Sequence, residues 1–269
     1  WPYTKGGSTL SMTSAGLASL ALIVDQGWDL GVLGNQSQAA LEKGQVWLRK
    51  NFQIDEATEL YTFYAIERAG LATGLKHLGD TEWYQKCARW LLARQQGQGE
   101  WKITFGLNNN DPRFATAYAL LFLTRGGNPI VFNKLQFDAA WNSRPRDQAH
   151  LAHWIANRYE RAVNWQIINI NSPVEEWLDA PVLYFSANRN PGFKSEEIAK
   201  LRQFIQAGGM IFTSSADGSP EFTETVKLLA REVMMYQTHE GDQPLEMREL
   251  PTDHPLFAMN VKFEKTPQV

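Results

Sequence analysis

A short polar run, TSSADGS at residues 213–219, contains the side chains best suited to covalent chemistry. A serine can act as a nucleophile when a histidine accepts its proton, and His254 follows further along the chain. Ser214, Ser215 and His254 are therefore the candidate catalytic residues of a serine hydrolase or an amidotransferase-like enzyme. The run lacks a Gly-x-Ser-x-Gly elbow, and serine, aspartate and glycine are also the residues that an ordinary turn requires. A structural turn is the favoured interpretation.

Further polar side chains stand where apolar runs end. Ser186 and Asn188 close the run PVLYFSAN (181–188), and Asp217 follows the run GMIFTSS (209–215). Ligands of open parallel sheets bind beyond the carboxyl ends of the strands. We therefore expect these three side chains, with the two serines, at one ligand-binding rim.

A charged turn precedes a predicted helix at residues 148–161. Arg144 and Arg146 could bind an anion, although an ion pair combined with a helix cap at Asp147 is the favoured interpretation. His150 and His153 have the spacing of two metal ligands on one helix face, but only Asp147 lies nearby to complete a site. The sequence therefore predicts no metal and no cofactor.

Bulk composition limits the class of protein. The chain has 269 residues, of which 43% are hydrophobic and 20% charged, and these values are typical of globular domains. A net charge of −3 argues against nucleic acid as a partner. The longest apolar run, AGLASLALIV at 15–24, is too short to cross a membrane and predicts a buried helix. The compartment, whether envelope, periplasm or cytoplasm, stays open.

The first half of the chain is predicted to be helical and contains an internal repeat. These helices must position any site in that half. AGLASL at 15–20 recurs as AGLATG at 69–74, and VWLRKNF at 46–52 matches RWLLARQ at 89–95. Apolar residues at helical spacing predict one helix over 61–78 and another from Trp83 to Arg94, with a cap at Asp80-Thr81 between them. The repeating unit is a pair of helices.

The stretch CARWLLARQQGQGEW, residues 87–101, shows how such a helix ends. Gly97 or Gly99 can adopt positive φ and terminate the helix. The amide of Gln95 or Gln96 can fasten the loop to a helix end, and Trp101 covers it. This device stabilises the fold and is not a reaction centre.

This pattern resembles the QW repeat of squalene–hopene cyclases and the related prenyltransferase repeat, through Trp90, Leu91, Gln95, Gly99 and Trp101. The resemblance covers about residues 1–130 and implies a partial α/α-toroid, with further repeats upstream. The cyclase Asp-x-Asp-Asp acid motif is missing from this sequence. Cys87 and His77 lack the surroundings of the prenyltransferase zinc site, and Cys87 is expected to be a core residue.

The second half, from about residue 134, changes to the pattern of an α/β domain. Short apolar runs at 133–137, 165–170, 181–187 and 209–215 predict strands, and predicted helices alternate with them, including one that Ser195 caps. This alternation is typical of a parallel, doubly wound sheet. The predicted domains are therefore residues 1–133 and 134–269, joined at TRGGNPIVFN (124–133).

The second half also resembles the bacterial domain-of-unknown-function family 4159. The matching segments are WNSRPRD (141–147), NWQIINI (164–170), WLDAPVLYFSAN (177–188), LRQFIQAGGMIFTSSADGSPEF (201–222) and LPTDHPLF (250–257). The resemblance implies a Rossmann-like fold of the class I glutamine-amidotransferase or flavodoxin type that continues beyond residue 269. Family members carry a cysteine near the turn where this chain has Ser214 and Ser215.

The favoured function is a non-catalytic binding or scaffold protein of bacterial origin. The toroid would offer an apolar concavity, and the α/β rim would hold a small polar ligand or another protein. One alternative is an isoprenoid-processing enzyme whose acid motif lies upstream. The other is the serine hydrolase or amidotransferase described above.

Overall fold

The computed structural model describes residues 1–2, 6–26, 32–102, 111–234, 247–251 and 253–257. The chain forms two compact units. The helical unit comprises Trp1–Lys134 and Arg146–Ile168, and the sheet unit comprises Leu135–Pro145 and Asn169–Val269.

Six helices make up most of the described part of the helical unit. They are α1 (Leu10–Gln26), α2 (Val32–Asn51), α3 (Leu60–Thr73), α4 (Trp83–Leu92), α5 (Pro112–Gly126) and α6 (Asp147–Tyr159). Helix α3 is central, because it packs against both α1 and α5. Its Phe63 and Ile66 are fully buried in one apolar core with Leu17, Leu48 and Phe122. The first half is therefore helical, as the sequence predicts.

The helix predicted over residues 61–78 ends early, at Thr73. Gly74 adopts φ = 69° and terminates α3, and a two-stranded antiparallel hairpin of β1 (His77–Leu78) and β2 (Thr81–Glu82) follows. The predicted cap at Asp80-Thr81 is wrong, because Thr81 pairs in the hairpin and Glu82 takes the N-cap position of α4. A left-handed glycine stops a helix even where the apolar spacing continues.

Aromatic rings lie directly on helix glycines in the helical unit. A Cβ at Gly70 would come 2.3 Å from the ring of Trp83, and a Cβ at Gly74 would come 2.5 Å from the ring of Trp165. No side chain larger than hydrogen fits at either position without displacing an indole. These two glycines set the close approach of α3 to its neighbours.

The loop after α4 is closed by two separate contacts. The Gln95 amide donates to the Gly99 carbonyl at 2.9 Å, where Gly99 adopts φ = 90°. The Trp101 indole donates to the Leu91 carbonyl at 2.8 Å, and only 1% of Trp101 is exposed. The glutamine thus closes its own loop, while the tryptophan joins the loop to the last turn of α4.

The expected parallel sheet is confirmed. Its strands are β3 (Ile130–Gln136), β4 (Asn164–Asn169), β5 (Val182–Ala187) and β6 (Met210–Ser215), in the order β4-β3-β5-β6. Strands β5 and β6 pair in parallel, with Val182 opposite Met210 and Ala187 opposite Ser215. All six residues of β5 are buried, which explains the unbroken apolar run in the sequence.

Three helices accompany the strands of the sheet unit in its described residues: α7 (Val174–Trp177), α8 (Ser195–Gln206) and α9 (Pro220–Met234). The cap of α8 is Lys194 and not Ser195, and the Lys194 amide donates to the Glu197 carboxylate at 2.7 Å. Pro220 is the first residue of α9, a position that suits the fixed φ of proline. Across the described residues, no helix combines the length and apolar character needed to span a membrane.

Candidate functional site

The structure brings the predicted rim residues of the sheet unit together in a hydrogen-bonded turn. Ser186 lies opposite Ser214 at the ends of β5 and β6. The Ser215 hydroxyl donates to the Ser219 carbonyl at 3.0 Å, and the Ser219 hydroxyl donates to the Asn188 carbonyl at 2.6 Å. Ser215 therefore has a structural hydrogen bond at the position proposed for a nucleophile.

The other predicted rim residues differ in their exposure to solvent. Asp217 and Asn188 are exposed, and Asp217 adopts φ = 57° in the turn after β6. Ser186 is 0% exposed, and its hydroxyl has no hydrogen-bond partner in the part of the chain that the structure describes. A ligand at the surface can reach Asp217 and Asn188, whereas Ser186 is closed off from solvent.

The proposed base, His254, takes part in a local turn. Its Nδ1 accepts a hydrogen bond from the Leu256 amide at 3.2 Å. Within the described residues, no hydrogen bond joins His254 to Ser214 or Ser215. The catalytic assignment of these three residues stays a prediction.

Arg146 is occupied by protein groups in the helical unit. Its Nε and Nη2 donate to the two carboxylate oxygens of Asp25 at 2.6 and 2.8 Å, and its Nη1 donates to the Ala72 carbonyl. The guanidinium also lies 5.7 Å from the ring centre of Trp165. Arg144, the other predicted anion ligand, is exposed in the turn that precedes α6.

The residues considered for a metal have other partners. Asp147 accepts from Lys134, which is 1% exposed, at 2.7 Å and from the Gln148 amide at 2.7 Å. His150 Nε2 lies 3.5 Å from the Asp25 carboxylate, and His153 Nε2 lies 2.9 Å from the Asn157 amide. Among the residues described, no cluster of three or more His, Cys, Asp or Glu side chains could hold a metal ion.

Cys87 is fully buried in the core of the helical unit. Burial raises the pKa of its thiol to about 12, so the reactive thiolate is not populated near neutral pH. Cys87 therefore packs as a small apolar side chain.

The helical unit contains a cavity of about 650 Å³, whose wall residues were not named by the sequence interpretation. Residues of α1, α3, α5 and α6 form its wall together with the start of β4. The apolar part of the wall includes Leu22, Leu71, Ala149, Trp154, Val163 and Trp165. Leu22 is 49% exposed and Trp154 is 52% exposed, so the cavity presents large apolar groups that are open to solvent.

A buried carboxyl group, Glu67, lies in the wall of this cavity. The residue is 0% exposed, and neither carboxyl oxygen has a hydrogen-bond partner within the described ranges. Burial raises the pKa of Glu67 to about 7, against the opposing influence of the nearby Arg125 and Arg68 charges. Glu67 can therefore exchange a proton near neutral pH, and its protonated form is a hydrogen-bond donor.

Two further guanidinium groups, those of Arg68 and Arg125, line the same cavity. Arg68 is half-buried and Arg125 is exposed. In the described chain, neither guanidinium has a hydrogen bond or an ion pair with a protein group, in contrast to Arg146. Both are available to a ligand.

A sequence signal for Glu67 existed. Phe63, Ile66, Glu67 and Gly70 follow the spacing of one helix face, and all four are buried in α3. A charged residue on an otherwise apolar helix face is unusual and indicates a buried polar site. The apolar spacing on its own predicts the helix and not the buried carboxyl group.

A family comparison applies to the second half of the chain. The model of the family described as Domain of unknown function (DUF4159) matches residues 131–269, more than half of the chain. The chain belongs to the DUF4159 family. The resemblance predicted for the second half is thus confirmed. The segment that matches DUF4159 includes α6, which lines one side of the cavity. The other helices of the wall, α1, α3 and α5, precede this segment.

The two other comparisons found no similar protein. No curated protein and no solved structure matches the chain. No match supports the cyclase-type repeats expected in the first half, and the function of DUF4159 itself is not assigned.

Proposed function

We propose that this chain is a non-catalytic binding protein that holds a small, mainly apolar molecule in the cavity of the helical unit. The observation that carries the proposal is the wall of that cavity, where apolar side chains lie beside two guanidinium groups, Arg68 and Arg125, that have no protein partner among the described residues. Ligand sites of proteins share this composition, since apolar contacts supply affinity and a few polar groups fix orientation.

The dimensions of the cavity support binding. Its volume of about 650 Å³ lies within the roughly 300–1,000 Å³ typical of small-molecule sites. Large apolar groups exposed in its wall, such as Trp154, lose unfavourable contact with water when a ligand covers them. An apolar or isoprenoid-like molecule fits this wall better than a strongly polar one.

The chemistry of the wall supports binding more than catalysis. The raised pKa of Glu67 would suit a general acid, but this group is fully enclosed by protein. A general acid must come within hydrogen-bond reach of its substrate. The serine turn of the sheet unit, whose Ser215 hydroxyl is already bonded to the backbone, supports a hydrolase no better.

The finer fold assignments belong to the same proposal. We infer a partial, cyclase-like α/α-toroid over residues 1–133 and a Rossmann-like domain of the amidotransferase or flavodoxin type over 134–269. The contact of Trp101 with α4 and the packing of Trp83 on Gly70 support an array of helix pairs fastened by indoles. The alternation of strands and helices from β3 to α9 supports the second assignment.

Calorimetric titration with three amphiphiles tests the binding function. Dodecanoate, dodecanol and dodecylamine, all below their micelle concentrations, differ only in the polar end. We expect at least one to bind with one-to-one stoichiometry. Ala149→Trp, which places an indole in the cavity, should weaken that binding, whereas Ala39→Trp on the exposed side of α2 should leave it unchanged. Binding of none of the three, or equal binding by Ala149→Trp, contradicts the proposal.

A further inference from the structure

The electrostatic character of the cavity identifies the polar end of its ligand. Building on the binding function proposed above, we propose that the cavity of the helical unit selects an apolar molecule with an anionic end, a carboxylate or a phosphate monoester. Arg68 and Arg125 would bind this anionic end. The inference depends on three observations: the charge of the wall, the freedom of two arginines and the position of Glu67.

Cations outnumber anions in the cavity wall. Three guanidinium groups, of Arg68, Arg125 and Arg146, face two carboxyl groups, of Asp25 and Glu67. His150 and His153 on α6 add no negative charge in any protonation state. A wall of this composition attracts an anion and repels an amine, most strongly where the surroundings exclude water.

The three arginines divide into one that is occupied and two that are available. Arg146 uses its Nε, Nη1 and Nη2 on Asp25 and the Ala72 carbonyl, so the charge of Asp25 is compensated within the protein. Arg68 and Arg125 use none of their donors on protein groups in the described chain. A planar guanidinium matches the paired oxygens of a carboxylate or phosphate, which gives this side chain its preference for such groups.

Glu67 connects the two available arginines. Glu67 and Arg68 are consecutive residues of α3, which packs against the helix of Arg125, α5, and all three residues line the cavity. Both arginines oppose the effect of burial on the pKa of Glu67. When Glu67 is protonated, it no longer compensates the positive charge of either arginine. A bound anion favours this protonated form, because its negative charge and that of an ionised Glu67 repel each other.

The head-group dependence of binding tests the inference. We expect dodecanoate or dodecyl phosphate to bind at least about tenfold more tightly than dodecanol and dodecylamine in calorimetric titrations at pH 7, because a charge-assisted pair distinguishes them. The stronger of the two anions shows which head group the cavity prefers. Arg68→Met and Arg125→Met should each remove most of this preference, while Arg89→Met, an exposed arginine of α4, should keep it.

Failure of the anionic inference and failure of the binding function give different experimental results. If dodecanol or dodecylamine binds as tightly as both anions, or if the anion preference survives in Arg68→Met and Arg125→Met, the anionic inference is wrong and the binding function stands. If no amphiphile binds the wild-type protein, the binding function is wrong, and the inference that rests on it is wrong as well. Arg125 is exposed, so its variant keeps the fold, which urea unfolding checks.

Discussion

Arg146 and Asp25, separated by 121 positions in the chain, form a bidentate ion pair with distances of 2.6 and 2.8 Å. The same guanidinium donates to the carbonyl of Ala72 in the last turn of α3. One side chain therefore connects α1, α3 and the start of α6, three elements that form the cavity wall. The geometry of the proposed binding site depends on this connection.

Removal of this arginine should destabilise the helical unit. The Arg146 and Asp25 side chains are only 11% and 17% exposed, so Arg146→Met leaves a largely buried carboxylate and a carbonyl without their donor. We expect a loss of about 2–4 kcal/mol in the free energy of unfolding, measured with urea. Arg113→Met is the matched control, because Arg113 pairs with Asp111 but is 88% exposed, and it should cost less than about 1 kcal/mol. Equal effects in the two variants would contradict the structural role of Arg146.

Protonation of Glu67 should make stability depend on pH. The pKa of Glu67 is about 7 in the folded protein and 4.5 in its ordinary state, so unfolding releases a proton between these values. Below pH 4.5 the carboxyl is neutral in both the folded and the unfolded protein, so the free energy of unfolding has its full value. As the pH rises from 4.5 towards 7, only the unfolded protein ionises this group, and the free energy of unfolding falls. Glu67→Gln lacks this loss, so it should gain about 3 kcal/mol relative to wild type between these pH limits.

Urea unfolding of wild type and Glu67→Gln at several pH values between 4 and 8 measures this difference. Glu42→Gln, a change at an exposed carboxyl of α2, controls for the loss of one charge and should show a constant difference from wild type. A pH-independent difference between Glu67→Gln and wild type would show that folding does not change the pKa of Glu67, and would contradict its enclosed position.

Gly74 should tolerate no side chain. Its φ of 69° disfavours any residue with a Cβ, and that Cβ would lie 2.5 Å from the Trp165 ring. We expect Gly74→Ala to lower the unfolding free energy by about 2–4 kcal/mol through backbone strain and overpacking. Gly97→Ala, at a position with no atom within 4 Å of the added Cβ, should change it by less than about 1 kcal/mol. A smaller loss for Gly74→Ala than for Gly97→Ala would refute the close packing of Trp165.

In the loop after α4, the tryptophan should matter more than the glutamine. Trp101→Phe removes the hydrogen bond to Leu91 from a residue that is 1% exposed, and should cost about 1–3 kcal/mol of stability. Gln95→Ala removes an exposed amide and should cost less than about 1 kcal/mol. Thermal or urea unfolding of both variants measures the two losses of stability. A larger loss for Gln95→Ala would show that the glutamine, and not the tryptophan, is the more important contact of this loop.

Features of the fold that follow from local sequence were predictable. The positive φ of Gly99, the proline that begins α9 and the buried strand β5 each arise from neighbouring residues and the preferences of single residue types. The end of α3 was misplaced, because the apolar spacing continues past Gly74 to Leu75 and Leu78. Periodicity shows which face is buried but does not show where a left-handed glycine stops the helix.

The residues that form the cavity wall could not be predicted from local sequence patterns. Its wall combines Asp25, Glu67, Arg125 and Trp165, which are far apart in sequence and meet only after the helices pack. The sequence indicated that Arg146 could bind an anion, yet its partner Asp25 lies 121 residues away and carries no motif of its own. By contrast, the turn after β6 is local, since the Ser215 hydroxyl donates to the carbonyl of Ser219 only four residues further along the chain.

A crystal structure of the protein soaked with dodecanoate tests the central claim most directly. The account predicts electron density for one alkyl chain against Leu71 and Trp165, with carboxylate oxygens within about 3.2 Å of Arg68 or Arg125 nitrogen atoms. Density for water alone in the cavity, or a dodecanoate chain bound elsewhere on the protein, would contradict it.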